Sequence, residues 1–215
     1  MKTFYEDITT KLLQQKSYKL GGMNQVDLIR DVGNLAHVHF SAELFNLPLK
    51  TEEHPTGIFT EHQLYLIMAA IFICIFFDVD PAKSFPLRQQ ARDVVQQLGQ
   101  VVKLQVSAIQ KGGSIAETML KAIRPTTNSS LKDYGVHMIS HLLKKDKDID
   151  SLVWGNIMET AGSMVATQGQ LLGQALDYIF TEGTEHIPTL QTLAKSDSPE
   201  DFDKLTHYFM EFSRL

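Results

Sequence analysis

A single cysteine, Cys74, stands in a chain of 215 residues. This scarcity excludes a disulfide framework, a zinc site built on cysteines and an iron–sulfur cluster, and it suits a reducing compartment. Basic residues are also few: the chain has 20 lysine and arginine residues and 25 aspartate and glutamate residues, which gives a formal net charge of −5. No basic cluster offsets this balance, so we expect no nucleic-acid partner.

The sequence has no segment typical of a signal peptide or a membrane span. Residues 1–20 mix charges of both signs and have no apolar core. The most apolar run, residues 64–77, is shorter than the roughly 20 residues that a helix needs to cross a bilayer. We therefore expect a buried core helix there and no membrane span. The expected location is the cytoplasm, either free or in peripheral contact with lipid bodies or membranes.

Helical periodicity runs through nearly the whole chain, and no alternating strand pattern or internal repeat appears. The predicted helices cover residues 3–19, 25–46, 61–77, 87–110, 114–123, 131–144, 151–180, 187–195 and 199 to the C-terminus. Gly21 and Gly22 are predicted to stop the first helix, and Thr60 with Gln63 forms a capping-box signature. Ser198 with Pro199 marks the start of the last helix. The predicted fold is all-α, one domain around a helix of about 30 residues, some 45 Å long.

Glycine is unexpectedly frequent inside that long helix, where each one costs about 1 kcal/mol relative to alanine. The positions concerned are Gly155, Gly162, Gly169 and Gly173. Two explanations stay open. Small residues let another helix pack closely, or they form a groove that admits a flat ligand.

Uncharged polar residues follow on the same helix. Thr167, Gln168, Gln170 and Gln174 carry groups that can form hydrogen bonds to a substrate oxygen. Near-consecutive positions on a helix cannot all share one face, so only one or two of them can line a pocket.

Three other features favour structural roles. Glu211 and Arg214, at i and i+3, are expected to form a surface ion pair. His137 and His141 have the i, i+4 spacing of a metal-binding pair, but no acidic residue accompanies them, so exposed helix histidines are expected. Cys74 lies in the apolar run and is predicted to be a small buried hydrophobe.

The order of these features resembles the I-to-K helix region of the cytochrome P-450 haem-thiolate fold. Ala161 and Gly162 match the Ala-Gly pair of the I helix, and Glu211 to Arg214 match the Glu-x-x-Arg motif of the K helix. In this resemblance residues 3–19, 26–49, 61–77 and 87–110 are the D, E, F and G helices. The implied architecture is a partial P-450 fold, from the D to the K helix, around one very long central helix.

The amino-acid sequence is more similar to one branch of that fold. The stretches LAHVHFSAELFNLPLKTEE, GIFTEHQLYLIMAAIF, FFDVDPAKSFPLRQQAR and YGVHMI resemble the C-terminal domain of fungal fused fatty-acid oxygenases, the linoleate diol synthases and psi-factor-producing oxygenases. The resemblance implies a fused dioxygenase domain that makes a fatty-acid hydroperoxide. It also implies a P-450-like domain that uses haem to isomerise this hydroperoxide in oxylipin biosynthesis.

The resemblance also assigns roles to residues. Ala161, Gly162 and Val165 would lie where the helix passes over haem. An oxygen-activating P-450 carries an acid and a threonine where this chain has Met164 and Val165, and neither of these can relay a proton. A hydroperoxide rearrangement dispenses with that relay.

Beyond this point the branch has an Asn-Gln-x-Gln run whose amides guide the rearrangement. Gln170 matches the second glutamine, whereas Thr167 replaces the asparagine, so the rate or position of the rearrangement is expected to differ. Glu211 and Arg214 would brace the fold, and the apolar face of 64–77 would contact the acyl chain.

In the family, the B and C helices precede the matched region and the loop with the haem-ligating cysteine follows it. We therefore expect residues 1–215 to be one partial domain that neither binds haem stably nor turns over alone, and to contain no metal site. A haem-thiolate centre needs its axial sulfur. Two alternatives remain. The chain could be a non-catalytic all-α remnant that binds lipid or a partner protein, or part of an oxygen-using monooxygenase, against which Met164 and Val165 argue.

Overall fold

The protein is mostly helical in its computed structural model, as the sequence predicts. The structure describes residues 1–77, 80–113, 118, 129–145 and 148–214. The predicted helix at 114–123 lies almost entirely outside them. The chain divides into two compact units, residues 1–166 and residues 167–215; the predicted single domain stays a prediction. Within the described parts, no helix has both the length and the apolarity needed to cross a membrane.

The first helix is shorter than its pattern predicts. Helix α1 (Lys2–Lys16) is followed by an antiparallel pair of strands, β1 (Tyr18–Leu20) and β2 (Met23–Gln25). Gly21 and Gly22 form the turn between them with positive φ angles of 59° and 84°, which glycine adopts at little cost. The glycine pair therefore turns a hairpin, and the prediction that it stops the helix was wrong.

The predicted helix at 25–46 consists of two stretches. A π-helical turn (Leu28–Gly33) begins after Asp27, whose carboxylate accepts hydrogen bonds from backbone N–H groups of the first turn. Helix α2 (Asn34–Phe45) follows directly.

Helix α3 (Glu61–Phe76) begins with the predicted capping box. Thr60 Oγ1 accepts a hydrogen bond from the backbone N–H of Gln63, and Gln63 Oε1 accepts one from the backbone N–H of Thr60. Two short parallel strands, β3 (Leu49–Lys50) and β4 (Phe59–Thr60), precede the helix. The box satisfies backbone donors that the first turn of a helix otherwise leaves unpaired.

Helix α4 (Pro81–Lys111) begins earlier than predicted. Asp80 caps it by accepting a hydrogen bond from the backbone N–H of Ala82, and Pro81 takes the first position, where its missing N–H costs nothing. Pro86 lies inside the helix, which gives up one backbone hydrogen bond there. The predicted helices leave residues 78–86 between them, whereas α4 already begins at Pro81.

The predicted helix at 151–180 corresponds to three consecutive stretches. They are α6 (Ile149–Leu152), a π-helical turn (Val153–Met158) and α7 (Glu159–Thr181). Helix α5 (Tyr134–Lys145) precedes them and packs against α2 and α4. The boundary between the two units falls within α7.

The main core of residues 1–166 joins helices α2 to α6 with the first part of α7. Its fully buried members include Val38, Leu64, Met68, Leu98, Val102, Ile139, Leu152, Ile157, Ala161 and Val165. A smaller cluster packs α1 against α2 through Phe4, Leu12, Leu35 and Phe40. Each large side chain buried in this way contributes about 1.5–3 kcal/mol.

Residues 167–215 comprise the rest of α7 and two further helices, α8 (Ile187–Lys195) and α9 (Pro199–Phe212). Their core consists of Ala175, Ile179, Leu190 and Phe212. Pro199 occupies the first position of α9, as predicted, but the side chain of Ser198 forms no capping hydrogen bond.

Candidate functional site

Ala161, Gly162 and Val165 lie in the core of residues 1–166. Ala161 and Val165 have no exposed surface. Gly162 contacts α3 so closely that an added Cβ would lie 2.8 Å from Ile71 Cγ2 and 3.4 Å from the backbone oxygen of Met68. Close helix packing therefore explains this glycine. The haem-facing role of the three residues stays a prediction about the complete domain.

The later part of α7 exposes polar side chains. Thr167 and Gln170 are both exposed, and their spacing places them on one helix face, which Gln174 continues. Gln168 differs from them, because its Oε1 is buried and has no hydrogen-bond partner among the described residues. The structure thus brings Thr167 and Gln170 together and separates Gln168 from them.

The predicted pair of Glu211 and Arg214 forms at the surface. Arg214 Nε donates to Glu211 Oε2 at 3.0 Å, and Arg214 Nη2 donates to the other carboxylate oxygen. Hydrogen bonding to Arg214 holds the pKa of Glu211 below its usual value. Both side chains are more than half exposed, at 53% and 69%. Their predicted bracing role in a complete P-450 domain is untested.

An apolar pocket of about 410 Å³ lies between α3, α4 and the π-helical turn that precedes α7. This volume falls in the range of about 300–1,000 Å³ that is usual for small-molecule sites. Its apolar lining comes from Ala70, Ile71, Cys74, Ile75, Ala91, Val95, Trp154 and Met158. Its charged lining comes from Arg88, Arg92 and Glu159. The apolar run at 64–77 thus lines a cavity, and Cys74, which was predicted to be a buried hydrophobe, is partly buried there.

The indole ring of Trp154 forms part of this pocket and rests on α4. A Cβ added at Gly99 would lie 2.1 Å from Trp154 Cη2, so only glycine leaves room for the ring at this position. Sequence reasoning missed the pocket. The available signal was Gly99 itself, an isolated glycine inside an amphipathic helix, which often marks a close approach.

A partly buried polar cluster joins α1, α2 and α3. Glu61 Oε1 lies 2.7 Å from His39 Nε2, and Glu61 Oε2 accepts a hydrogen bond from Lys16 Nζ at 2.6 Å. Burial acts to raise the pKa of Glu61, but the hydrogen bonds from His39 and Lys16 outweigh it and lower this pKa to about 2. No sequence pattern pointed to the cluster, because its members come from three separate helices.

Two other buried groups have shifted pKa values. Burial raises the pKa of Glu43 to about 7, and burial lowers the pKa of His37 to about 4. The hydroxyl of Tyr5 lies 3.0 Å from His37 Nδ1. His37 is therefore neutral at neutral pH, and its ring serves the packing of α1 on α2.

The described residues contain no group of three or more histidine, cysteine, aspartate or glutamate side chains that could hold a metal ion. His137 and His141 are exposed on α5, as predicted.

No protein-family model matches the chain, and no solved structure matches it. Curated proteins do match over its full length. Psi-producing oxygenase A of Emericella nidulans is 50% identical over 216 residues. A bifunctional dioxygenase–epoxy alcohol synthase of Fusarium oxysporum is 45% identical over 218 residues. The 7,8-linoleate diol synthase of Pyricularia oryzae is 29% identical over 262 residues.

These matches cover 100% of the chain but only 20%, 17% and 22% of the three relatives. The chain thus spans about a fifth of the length of the curated relatives that it matches. Over its full length the chain is similar to a segment of fungal psi-producing oxygenases, dioxygenase–epoxy alcohol synthases and linoleate diol synthases.

Proposed function

We propose that this chain is a segment of a cytochrome P-450-type domain that isomerises a fatty-acid hydroperoxide in oxylipin biosynthesis. The relatives' names support the choice of reaction, because they join a dioxygenase to an epoxy alcohol synthase and include a linoleate diol synthase. An epoxy alcohol or a diol contains the same atoms as the hydroperoxide from which it forms. A dioxygenase product can therefore reach either one by isomerisation, without an external reductant.

The exposed face of Thr167 and Gln170 is the observation that carries the assignment of roles. A glutamine amide both donates and accepts hydrogen bonds, so Gln170 can hold a hydroperoxide or an oxygen atom in transfer. Thr167 offers a shorter hydroxyl one turn earlier on the same face. We assign the orientation of the substrate oxygen to Gln170, with Thr167 adjusting where that oxygen is delivered.

Isomerisation also suits the residues before this face. Val165 is fully buried and Met164 packs against the core. Neither an aliphatic nor a thioether side chain has a proton to donate in oxygen activation. Haem enters the proposal only as the cofactor of the complete domain, with its axial cysteine supplied from outside these 215 residues. Cys74 is not that ligand in the proposal, because it lines the apolar pocket beside α3.

A chimera tests the proposal. The corresponding segment of psi-producing oxygenase A of Emericella nidulans is replaced by this chain, and the products formed from a linoleate hydroperoxide are analysed. We expect isomerised products, and a loss of about 100-fold in their rate of formation for Gln170→Leu, the usual cost of removing a hydrogen bond made in the transition state. Thr167→Asn should raise the rate or shift the position of oxygen transfer.

Gln168→Leu is the matched control, because the amide oxygen of Gln168 is buried and the residue lies on a different face of α7 from Gln170. This variant should keep the rate of the parent chimera. Equal losses for Gln168→Leu and Gln170→Leu would contradict the assigned role of Gln170. A chimera that incorporates haem but makes no isomerised product would favour the non-catalytic alternative.

A further inference from the structure

The start of α5 lies directly on the last turn of α2. A Cβ added at Gly135 would lie 2.5 Å from the backbone oxygen of Glu43 and 2.9 Å from the backbone nitrogen of Asn46, so the two helices are in backbone contact. Asp133, just before α5, has a φ angle of 62°, in the left-handed region that a residue with a Cβ adopts at a cost in energy. Such a conformation persists only while the surrounding contacts hold it.

The side chain of Glu43 lies at this contact. It is partly buried and lines a polar pocket of about 270 Å³, whose lining also comes from α1 and from Ser129 and Ser130. The hydroxyl of Ser129 donates a hydrogen bond to the Glu43 carboxylate and accepts one from the backbone N–H of Leu131 at 3.0 Å. Glu43 is thus joined, through Ser129, to the backbone that leads into α5.

Titratable groups from each neighbouring element surround Glu43. Among the described residues they are Asp7, Lys11, His39, Glu53 and Asp133. Lys11 Nζ lies 2.7 Å from Glu53 Oε1. His39 Nε2 lies 2.7 Å from Glu61 Oε1. Both groups that can carry positive charge are thus paired with other carboxylates, and no cation in the described lining is left to neutralise an ionised Glu43.

The surroundings of Glu43 favour its neutral form. Burial raises the pKa of Glu43 to about 7 from an ordinary value of 4.5; the hydrogen bond from Ser129 acts to lower this pKa, and the charge of Asp133 acts to raise it. The proton is therefore bound more tightly while residues 129–134 are docked on α2 than after they are released into water. Protonation favours the docked state, and this advantage is lost as the pH rises from about 4.5 to about 7.

We propose that Glu43 is a pH-sensitive latch between α2 and residues 129–134, closed when its carboxyl is neutral and loosened when the carboxyl is ionised. The neutral form can stay in the partly dry pocket, whereas the ionised form draws water into it and repels Asp133. Release also removes the cost of the left-handed backbone at Asp133. The latch is independent of the proposed function, because it uses none of the residues to which that function assigns a role.

Two measurements on the 215-residue chain test the latch. Carbon NMR of side-chain carboxyl groups follows the titration of Glu43, identified by the signal that disappears in Glu43→Gln, and we expect a midpoint near pH 7. Amide hydrogen exchange of residues 129–137, corrected for the intrinsic change of rate with pH, reports the opening of the contact. Between pH 6 and pH 8 the opening should increase about tenfold, as linkage gives for a pKa of about 7 when docked and 4.5 after release.

Three variants separate the latch from general effects of pH. Glu43→Gln keeps the shape of the neutral carboxyl, so its corrected exchange should be the same at pH 6 and pH 8. Asp133→Asn removes the neighbouring charge and should lower the titration midpoint of Glu43, and it suits the fold because asparagine tolerates the left-handed backbone. Glu159→Gln alters an exposed carboxylate outside this pocket and should keep the pH dependence of the parent chain.

The proposal is overturned if Glu43 titrates near pH 4.5, or if Glu43→Gln still opens more at pH 8 than at pH 6. If Glu43→Gln does not fold, the parent chain decides. Exchange of residues 129–137 that is the same at pH 6 and pH 8 in the parent would contradict the latch, and so would a Glu43 midpoint that is unchanged in Asp133→Asn.

Discussion

Residues 1–166 and residues 167–215 use buried and exposed side chains differently. The first unit has two apolar clusters that join helices α1 to α7, and it also contains a partly buried polar cluster around Glu61. The second unit has a core of Ala175, Ile179, Leu190 and Phe212, and its ion pair of Glu211 and Arg214 is exposed. Small residues of α7 serve packing before the boundary, whereas Thr167 and Gln170 after it are exposed.

The largest effect that would sharpen this comparison is expected at Gly162. Gly162→Val should lower the free energy of unfolding by about 3 kcal/mol, because the new side chain would overlap Ile71 and overpack the contact between α7 and α3. Gly155→Ala is the matched control, since a Cβ there meets nothing within 4 Å. It should leave stability unchanged or raise it by up to about 1 kcal/mol. Urea unfolding of both variants measures the difference, and equal losses would contradict the packing of Gly162 on α3.

The next effect is expected from the buried charge at Glu61. Glu61→Gln should lower the free energy of unfolding by about 2 kcal/mol at pH 7, because it leaves Lys16 with a weaker partner in a partly buried position. The matched control is Glu211→Gln, which alters an exposed pair and should leave the unfolding midpoint unchanged.

The contribution of Glu61 should also depend on pH in one direction. Its pKa is about 2 in the folded protein and near 4.5 when unperturbed, so the folded state favours the ionised carboxylate. The stabilisation is therefore fully present above about pH 5 and is lost as the pH falls from 4.5 toward 2. Unfolding midpoints of the parent and Glu61→Gln should converge over that window. A stability difference that persists unchanged at pH 2 would contradict the pairing of Glu61 with His39 and Lys16.

The smallest effect is expected at Arg214. Arg214→Gln removes the partner of Glu211, but both side chains are largely hydrated, so exposed pairs of this kind contribute little. Thermal unfolding should give the same midpoint as the parent chain. A marked loss of stability would show that the second unit depends on this pair more than its exposure indicates.

Sequence reasoning succeeded where local chemistry decides the structure. The capping box at Thr60 and the proline at the start of α9 depend on a few adjacent residues, and both lie where the sequence places them. It failed where a local signal had two meanings. Gly21 and Gly22 suit a helix end and a hairpin equally, and the choice depended on the strands that pair around them.

In the candidate sites, too, local features could be predicted from the sequence and contacts between distant elements could not. Helical spacing was enough to predict that Thr167, Gln168 and Gln170 do not all share one face. Spacing was not enough to reveal that α3 lies against Gly162, or that Trp154 rests on Gly99, because both contacts join elements that are far apart in sequence. The cluster of Lys16, His39 and Glu61 was missed for the same reason.

The most direct test of the central claim follows the oxygen atoms. The chimera is given a linoleate hydroperoxide with ¹⁸O in both oxygens, in unlabelled air and without a reductase, and its products are analysed by mass spectrometry. Isomerisation predicts products that retain both labelled atoms. Products that contain one oxygen from air and need a reductase would contradict the account and favour an oxygen-using monooxygenase.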